Sequence, residues 1–277
     1  MNEKFFKPVK VITDHPHPLA SPDYTNPAGS IEDNNTFTYF IYEIDNTFSG
    51  LPYALLDIGC AGGQFVVDVY NKGWPWRAVG LEGGNILGMT ENFESREVSR
   101  GDLTIAAGAE NWKLYKDKCL FHADVSKPFE IVDPRGDLIQ FCVVTAWEFF
   151  EHPLPEEIPG IMENIVKHIR PGGLFIGTIN ACLGGVEGHH RCARSREWWD
   201  NIFISHGFEV LLYPFRTTPR TSIEFLHRMV HNHQNKAEEQ SGAKLIDIEA
   251  ANADMQLRIQ GHIDHYTVCY SFKGDRD

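Results

Sequence analysis

No apolar run in the chain comes near the roughly 18–20 residues that cross a bilayer. The best, Phe141 to Phe150, is broken by Thr145 and Glu148, so no membrane span is expected. Basic residues are scarce: 25 Lys and Arg stand against 38 Asp and Glu, a net charge of −13. So acidic a chain is poorly suited to grip phosphate backbones across a broad face, which argues against nucleic acid as a partner. The opening stretch MNEKFFKPVKVITDHPHP has no apolar segment ending in a small-residue cleavage site, so no secretory signal is expected. The six cysteines (Cys60, Cys119, Cys142, Cys182, Cys192, Cys269) form no CxxC pair. Several lie in strand-like runs, where a thiol acts as a small hydrophobe, and a reduced cytoplasmic protein is the expectation. Neither an internal repeat nor a low-complexity tract is present.

What the 277 residues do contain is alternation of short strand-like and helix-like runs. Residues 1–50 are an N-terminal arm or lid, irregular up to 33 and then aromatic-rich at Thr36–Phe48, a helix that would pack on the domain after it. Tyr53–Ile58 reads as a first strand, Gln64–Asn71 as a helix and Arg77–Leu81 as a second strand ending at Glu82. Cys119–Ala123 and Leu138–Thr145 read as the third and fourth strands, the latter buried on both faces. Ile158, Ile161, Met162, Ile165, Val166 and Ile169 mark one face of a helix closed by Arg170-Pro171-Gly172-Gly173. Leu174–Ile179 is the fifth strand. Repeated β-α-β units with short connections call for an α/β domain over 51–277, a parallel sheet with helices on both faces. Beyond a helix at Ser195–Ser205 and a strand at Phe208–Tyr213, residues 216–260 read as a polar, mostly helical insertion. His265–Phe272 alternates like a last strand that pairs antiparallel at one edge.

The segment Asp57-Ile58-Gly59-Cys60-Ala61-Gly62-Gly63-Gln64 joins the first strand to the first helix of this alternation. Small residues there allow a sharp turn and let a ligand approach the main chain, at the edge where open parallel sheets bind ligands. A dinucleotide fingerprint from Gly59 would need glycine at Ala61 and Gln64, and a phosphate loop needs Gly-Lys-Ser/Thr, which never occurs. The loop is therefore not expected to hold a pyrophosphate. Glu82, ending the second strand, can accept two hydrogen bonds from a ribose diol, and Asp124, ending the third, one from an exocyclic adenine amine. Each alone is an ordinary strand-end carboxylate. Together, after a small-residue loop, they describe an adenosine pocket.

LLDIGCAGGQF, VGLEGG, HADVSKPF, FCVVTAWEFFEH and IRPGGLFIGTIN, in that order over about 53–215, resemble the class I S-adenosylmethionine-dependent methyltransferases. The resemblance implies a doubly wound, Rossmann-like, seven-stranded sheet with an antiparallel last strand, and S-adenosyl-L-methionine as cofactor. It also implies roles: Asp57, Gly59, Cys60, Ala61, Gly62 and Gly63 at the cofactor's amino-acid part, Glu82 at its ribose, Asp124 and Val125 at its adenine. Ala61 stands where many members carry glycine.

Methyl transfer from a sulfonium is an in-line displacement, and a hydroxyl acceptor also needs a base. The loops after the fourth and fifth strands should supply both walls. In the first, Trp147 and Glu148 are placed to line the methionine side, and His152 is either a base or a structural histidine. In the second, glycines precede His189 and His190, imidazoles suited to act as base near neutral pH. Cys182, His189, His190 and Cys192 are possible soft ligands, but their spacing matches no zinc pattern, so no metal is expected. Trp198 and Trp199 could stack on a sugar; burial against the sheet is the preferred reading. The resulting expectation is a methyltransferase acting on oxygen of a small hydroxylated acceptor, a sugar, glycan unit or secondary metabolite. Rival readings are transfer to nitrogen, to a protein or to RNA, and a binding module without turnover. Oligomeric state and the role of 216–260 are open in the sequence.

Overall fold

The structure, a computed structural model, describes residues 9–21, 24, 38–48, 53–73, 77–85, 100–179, 190–211 and 223–229. In chain order the elements are β1 (Lys10–Ile12), α1 (Thr38–Thr47), β2 (Ala54–Ile58), α2 (Gln64–Asn71), β3 (Arg77–Glu82), α3 (Arg100–Tyr115) and β4 (Leu120–His122). They continue with β5 (Glu130–Val132), β6 (Phe141–Trp147), α4 (Ile158–His168), β7 (Ile169–Ile179), α5 (Arg196–Ser205), β8 (Phe208–Val210) and β9 (Ile223–Met229). A seven-stranded sheet runs in the order β4-β3-β2-β6-β7-β9-β8, and β1 with β5 forms a separate two-stranded ribbon. The five strands β4, β3, β2, β6 and β7 are parallel, while β9 lies antiparallel to both β7 and β8. From β2 the chain moves outward through β3 and β4, then returns to the other side of β2 as β6. The switch point therefore lies between β2 and β6, where such sheets open a crevice at their carboxyl ends.

Alternation along the central strands feeds two separate cores. Leu56, Ile58, Val144 and Ala146 join α4 and α5 residues such as Ile161, Ile165, Trp199 and Phe203 on one face. Leu55 and Val143 join Phe40, Phe65, Val66 and Trp112, from α1, α2 and α3, on the other. Helices thus cover both faces, which is why the β6 run is almost continuously apolar. Trp199 is fully buried beside Phe150, whereas Trp198 is half-buried under the Arg194 guanidinium. The pair is split between core and surface.

Three expectations are corrected. Ile223–Met229, inside the stretch read as a mostly helical insertion, is a strand that pairs with β7 from Ile179↔Ile223 to Leu174↔Arg228. Its short apolar set, Ile223, Phe225, Leu226 and Met229, is the signal that was available. Arg170–Gly173 does not close a helix but belongs to β7, which bonds to Phe141 through Ile169 before an irregularity in register. The fourth strand begins at Phe141 rather than Leu138 and extends to Trp147. The strand expected at His265–Phe272 lies outside the described residues.

Candidate functional site

The registers place Glu82 beside His122, Ile58 beside Leu81 and Ala146, and Trp147 beside Thr178. The carboxyl ends of β4, β3, β2, β6 and β7 therefore share one edge, and the small-residue loop rises from its centre. Gly59 opens the loop with φ of 72°, and a Cβ there would sit 2.6 Å from Phe149 Cδ2. Only glycine fits both demands. Gly59 and Cys60 donate their N–H groups to Leu81 O, and Gly63, in the left-handed conformation, precedes α2 without a side-chain cap. Ala61 also has a positive φ, 48°. That strained residue is held from both sides: its N–H donates to Glu82 Oε2 at 2.8 Å and its carbonyl accepts from Trp112 Nε1 at 2.8 Å. Gly62 O accepts from Asn111 Nδ2 at 3.1 Å. Cys60 is buried, and its thiol is pushed well above its ordinary pKa by burial and by the Glu82 and Asp57 charges, so it stays protonated.

The three carboxylates of the expected cofactor site differ in burial and in partners. Asp57 lies beneath the loop, 3% exposed, accepting from Thr145 Oγ1 at 2.6 Å. Burial pushes its pKa up to about 7, against the Thr145 hydrogen bond and helped by the Glu82 charge. Glu82 accepts through Oε2 from Ala61 N at 2.8 Å and through Oε1 from Gly84 N at 2.7 Å, so both oxygens are oriented. Asp124 accepts through Oδ1 from Ser126 N at 3.0 Å and Ser126 Oγ at 2.7 Å. Val125 beside it is buried and its carbonyl accepts from Asn164 Nδ2 at 2.9 Å.

The N-terminal arm crosses this end of the site, a placement the sequence reading missed. Asp124 N donates to His15 O at 2.8 Å, and His17 Nδ1 lies 2.8 Å from Gly83 O. The His17 ring packs 4.6 Å from that of His122, which itself stacks on Trp112. Farther along, Ser21 Oγ accepts from Arg191 Nη2 at 3.4 Å. The only available signal was the unusual His15-Pro16-His17-Pro18 run.

On the other side, Trp147 ends β6 with its ring edge-on to Phe40 at 4.7 Å. Glu148 follows with φ of 50°, a second strained non-glycine residue, its N–H donating to Thr178 O at 3.0 Å. Glu148 Oε1 is buried with no hydrogen-bond partner among the described residues, an acceptor with capacity for a ligand. Phe150 is fully buried among Phe175, Trp199 and Phe203 and anchors the loop. Glu151, fully buried, and His152 come next, and Cys192 N donates to Glu151 O at 2.9 Å, drawing the second loop alongside. The His152 and His190 rings are 5.1 Å apart, and ligand-capable atoms of Glu151, His152 and His190 all lie within 4.8 Å of one another. Two of the three candidate bases are thus brought together; His189 lies outside the described residues. Glu151, given no role from sequence, is the residue that joins them.

An adenosyl amino acid fits the acceptors at this edge: Glu148 Oε1, without a partner among the described residues, and the oriented carboxylates of Glu82 and Asp124. No family model and no curated protein matches the chain. Among solved structures it resembles an S-adenosylmethionine-dependent methyltransferase from Clostridium acetobutylicum at 13% identity and a TM-score of 0.47, over 74% of this chain and 92% of that one. It also resembles the glycopeptide N-methyltransferase MtfA in complex with S-adenosyl-L-methionine (13% identity, TM-score 0.44, 71% of this chain and 95% of that one). A third is the pyocyanin biosynthetic protein PhzM (13% identity, TM-score 0.44, 70% of this chain and 55% of that one). With TM-scores below 0.5, the functional reading rests on the chain's own residues.

Proposed function

We propose that the chain is an S-adenosylmethionine-dependent methyltransferase that acts on oxygen of a small hydroxylated acceptor, a sugar unit or secondary metabolite. The observation that carries this reading is one shared edge: Asp57, the Gly59–Gly63 loop, Glu82, Asp124 and Glu148 lie along it with His152 and His190 at its far side. Glu82 takes the ribose diol, Asp124 and Val125 the adenine, and Asp57, the loop, Trp147 and Glu148 the amino-acid end. When bound, the cofactor supplies a methyl group on a sulfonium, which needs positioning more than activation. The protein's own contribution is to hold the acceptor oxygen in line and to receive its proton at an imidazole nitrogen of His190 or His152, with the Glu151 carboxylate beside them. The acidic balance favours a small acceptor over RNA.

The test is a panel of hydroxylated acceptors scored by release of S-adenosylhomocysteine. The expected outcome is turnover with at least one acceptor, reduced about 100-fold or more in His190→Ala at unchanged cofactor affinity. Cofactor binding with no release across hydroxyl, amine and protein acceptors would instead favour a binding module.

A further inference from the structure

We propose that Glu151, His152 and His190 form a binding site for one divalent transition-metal cation, of the zinc class. Their ligand-capable atoms lie within 4.8 Å of one another. Phe150, locked in its aromatic cluster, fixes Glu151 and His152, while the Cys192 N–H bond to Glu151 O fixes His190. Metal–ligand distances near 2.0–2.2 Å bring tetrahedral ligand atoms to about 3.5 Å of each other, within a small rotamer adjustment of this arrangement.

The donor set selects the metal. Two imidazoles and one carboxylate suit zinc or ferrous iron and are a poor cage for calcium or magnesium, which require mostly oxygen. Half-buried His152 and His190 leave an approach from outside. Arg191, next in sequence to His190, is engaged with other groups: its Nε donates to His152 O at 2.7 Å and its Nη2 lies 3.8 Å from Glu157 Oε2. The set differs from the one considered in the sequence: among the described residues of the second loop His190 is the ligand, while Cys192 contributes a backbone bond. Sequence spacing hid it, since two ligands are adjacent and the third is 38 residues away.

Three protein ligands leave a position open. The role given to that position rests on the methyltransferase reading: an acceptor hydroxyl bound there would lose its proton to solvent more readily, and the imidazoles would act through the cation. Cation binding itself rests only on the three side chains.

The experiment uses untagged full-length protein, stripped with chelator and titrated with Zn2+ by calorimetry, with Co2+ absorption reporting the ligand field. One Zn2+ per chain is expected, weakened at least tenfold in both His190→Ala and His152→Ala. A rise in melting temperature with Zn2+ is expected in the parent and not in the variants. Substoichiometric binding, or equal affinity in parent and variants, overturns the site. His190→Ala keeps the test decisive should His152→Ala fold poorly. S-adenosylhomocysteine titrated into the same samples separates the two proposals. Zinc without nucleoside binding sinks the methyltransferase reading and leaves the cation site; the converse leaves His190 or His152 as a metal-free base.

Discussion

At the scale of single residues, the site depends on carboxylates whose charge is set by what surrounds them. Asp57 has a pKa near 7 because it is buried, so about half of it is protonated at neutral pH. If it takes the cofactor's ammonium group, binding must drive its proton off, and affinity should fall as pH drops below 7. The expected slope is up to about tenfold per pH unit between 7 and 5.5, measured with S-adenosylhomocysteine, and flat in Asp57→Asn. His168 reports on stability. Its Nε2 accepts from Ile131 N at 3.1 Å and its Nδ1 lies 2.8 Å from Asn164 O, a pattern that only the neutral ring satisfies. Burial lowers its pKa from 6.5 to about 4. A histidine depressed in this way stabilises the fold above pH 6.5 and loses that contribution as pH falls toward 4. Replacing it with Gln, which keeps a donor and an acceptor, should lessen the fall in stability across that window by about 1.4 kcal/mol per pH unit in urea titrations.

At the scale of elements, the sheet tolerates little change where β6 and β7 meet. Gly177 pairs with Ala146, and a Cβ on it would collide with the Ala146 carbonyl oxygen. Gly177→Ala should therefore lower the melting temperature by roughly 5–10 °C, read by calorimetry. Phe150→Ala should cost about 3–5 kcal/mol and loosen the His152–His190 pairing with it. Most of these elements were legible because their patterns are strong: β2, β3 and β6 are dominated by apolar residues and α4 has a clear helical face. Those that were missed have physical reasons. In α3 Ala109 and Trp112 are buried while Leu114 is exposed, so apolar residues there do not mark one buried face. Strands β1 and β5 are three residues each and owe their form to one another, which no local pattern records. The strand β9 was hidden in a polar neighbourhood. In the site, Asp57, Glu82 and Asp124 were readable as strand ends, but the meeting of Glu151 with His190 depends on a loop-to-loop backbone bond.

At the scale of the whole molecule, the described part of the N-terminal arm lies at one end of the sheet. Residues 15–21 lie across the carboxyl ends of β3 and β4, tied to Asp124 and Gly83 at the adenosine side and to Arg191 near the histidine pair. An arm so placed should slow cofactor exchange, and removing residues 1–21 should speed dissociation of bound S-adenosylhomocysteine several-fold in stopped-flow displacement. The negative net charge acts at the same scale by disfavouring polyanionic acceptors. All of this hangs on an adenosyl cofactor lying along the carboxyl edge with its ribose on Glu82. The most direct measurement is calorimetric titration of S-adenosylhomocysteine into the parent protein and Glu82→Ala. Micromolar binding at one site per chain, weakened at least tenfold in the variant, is the result expected. No heat at millimolar nucleoside in the parent, or equal affinity in the two proteins, would contradict it.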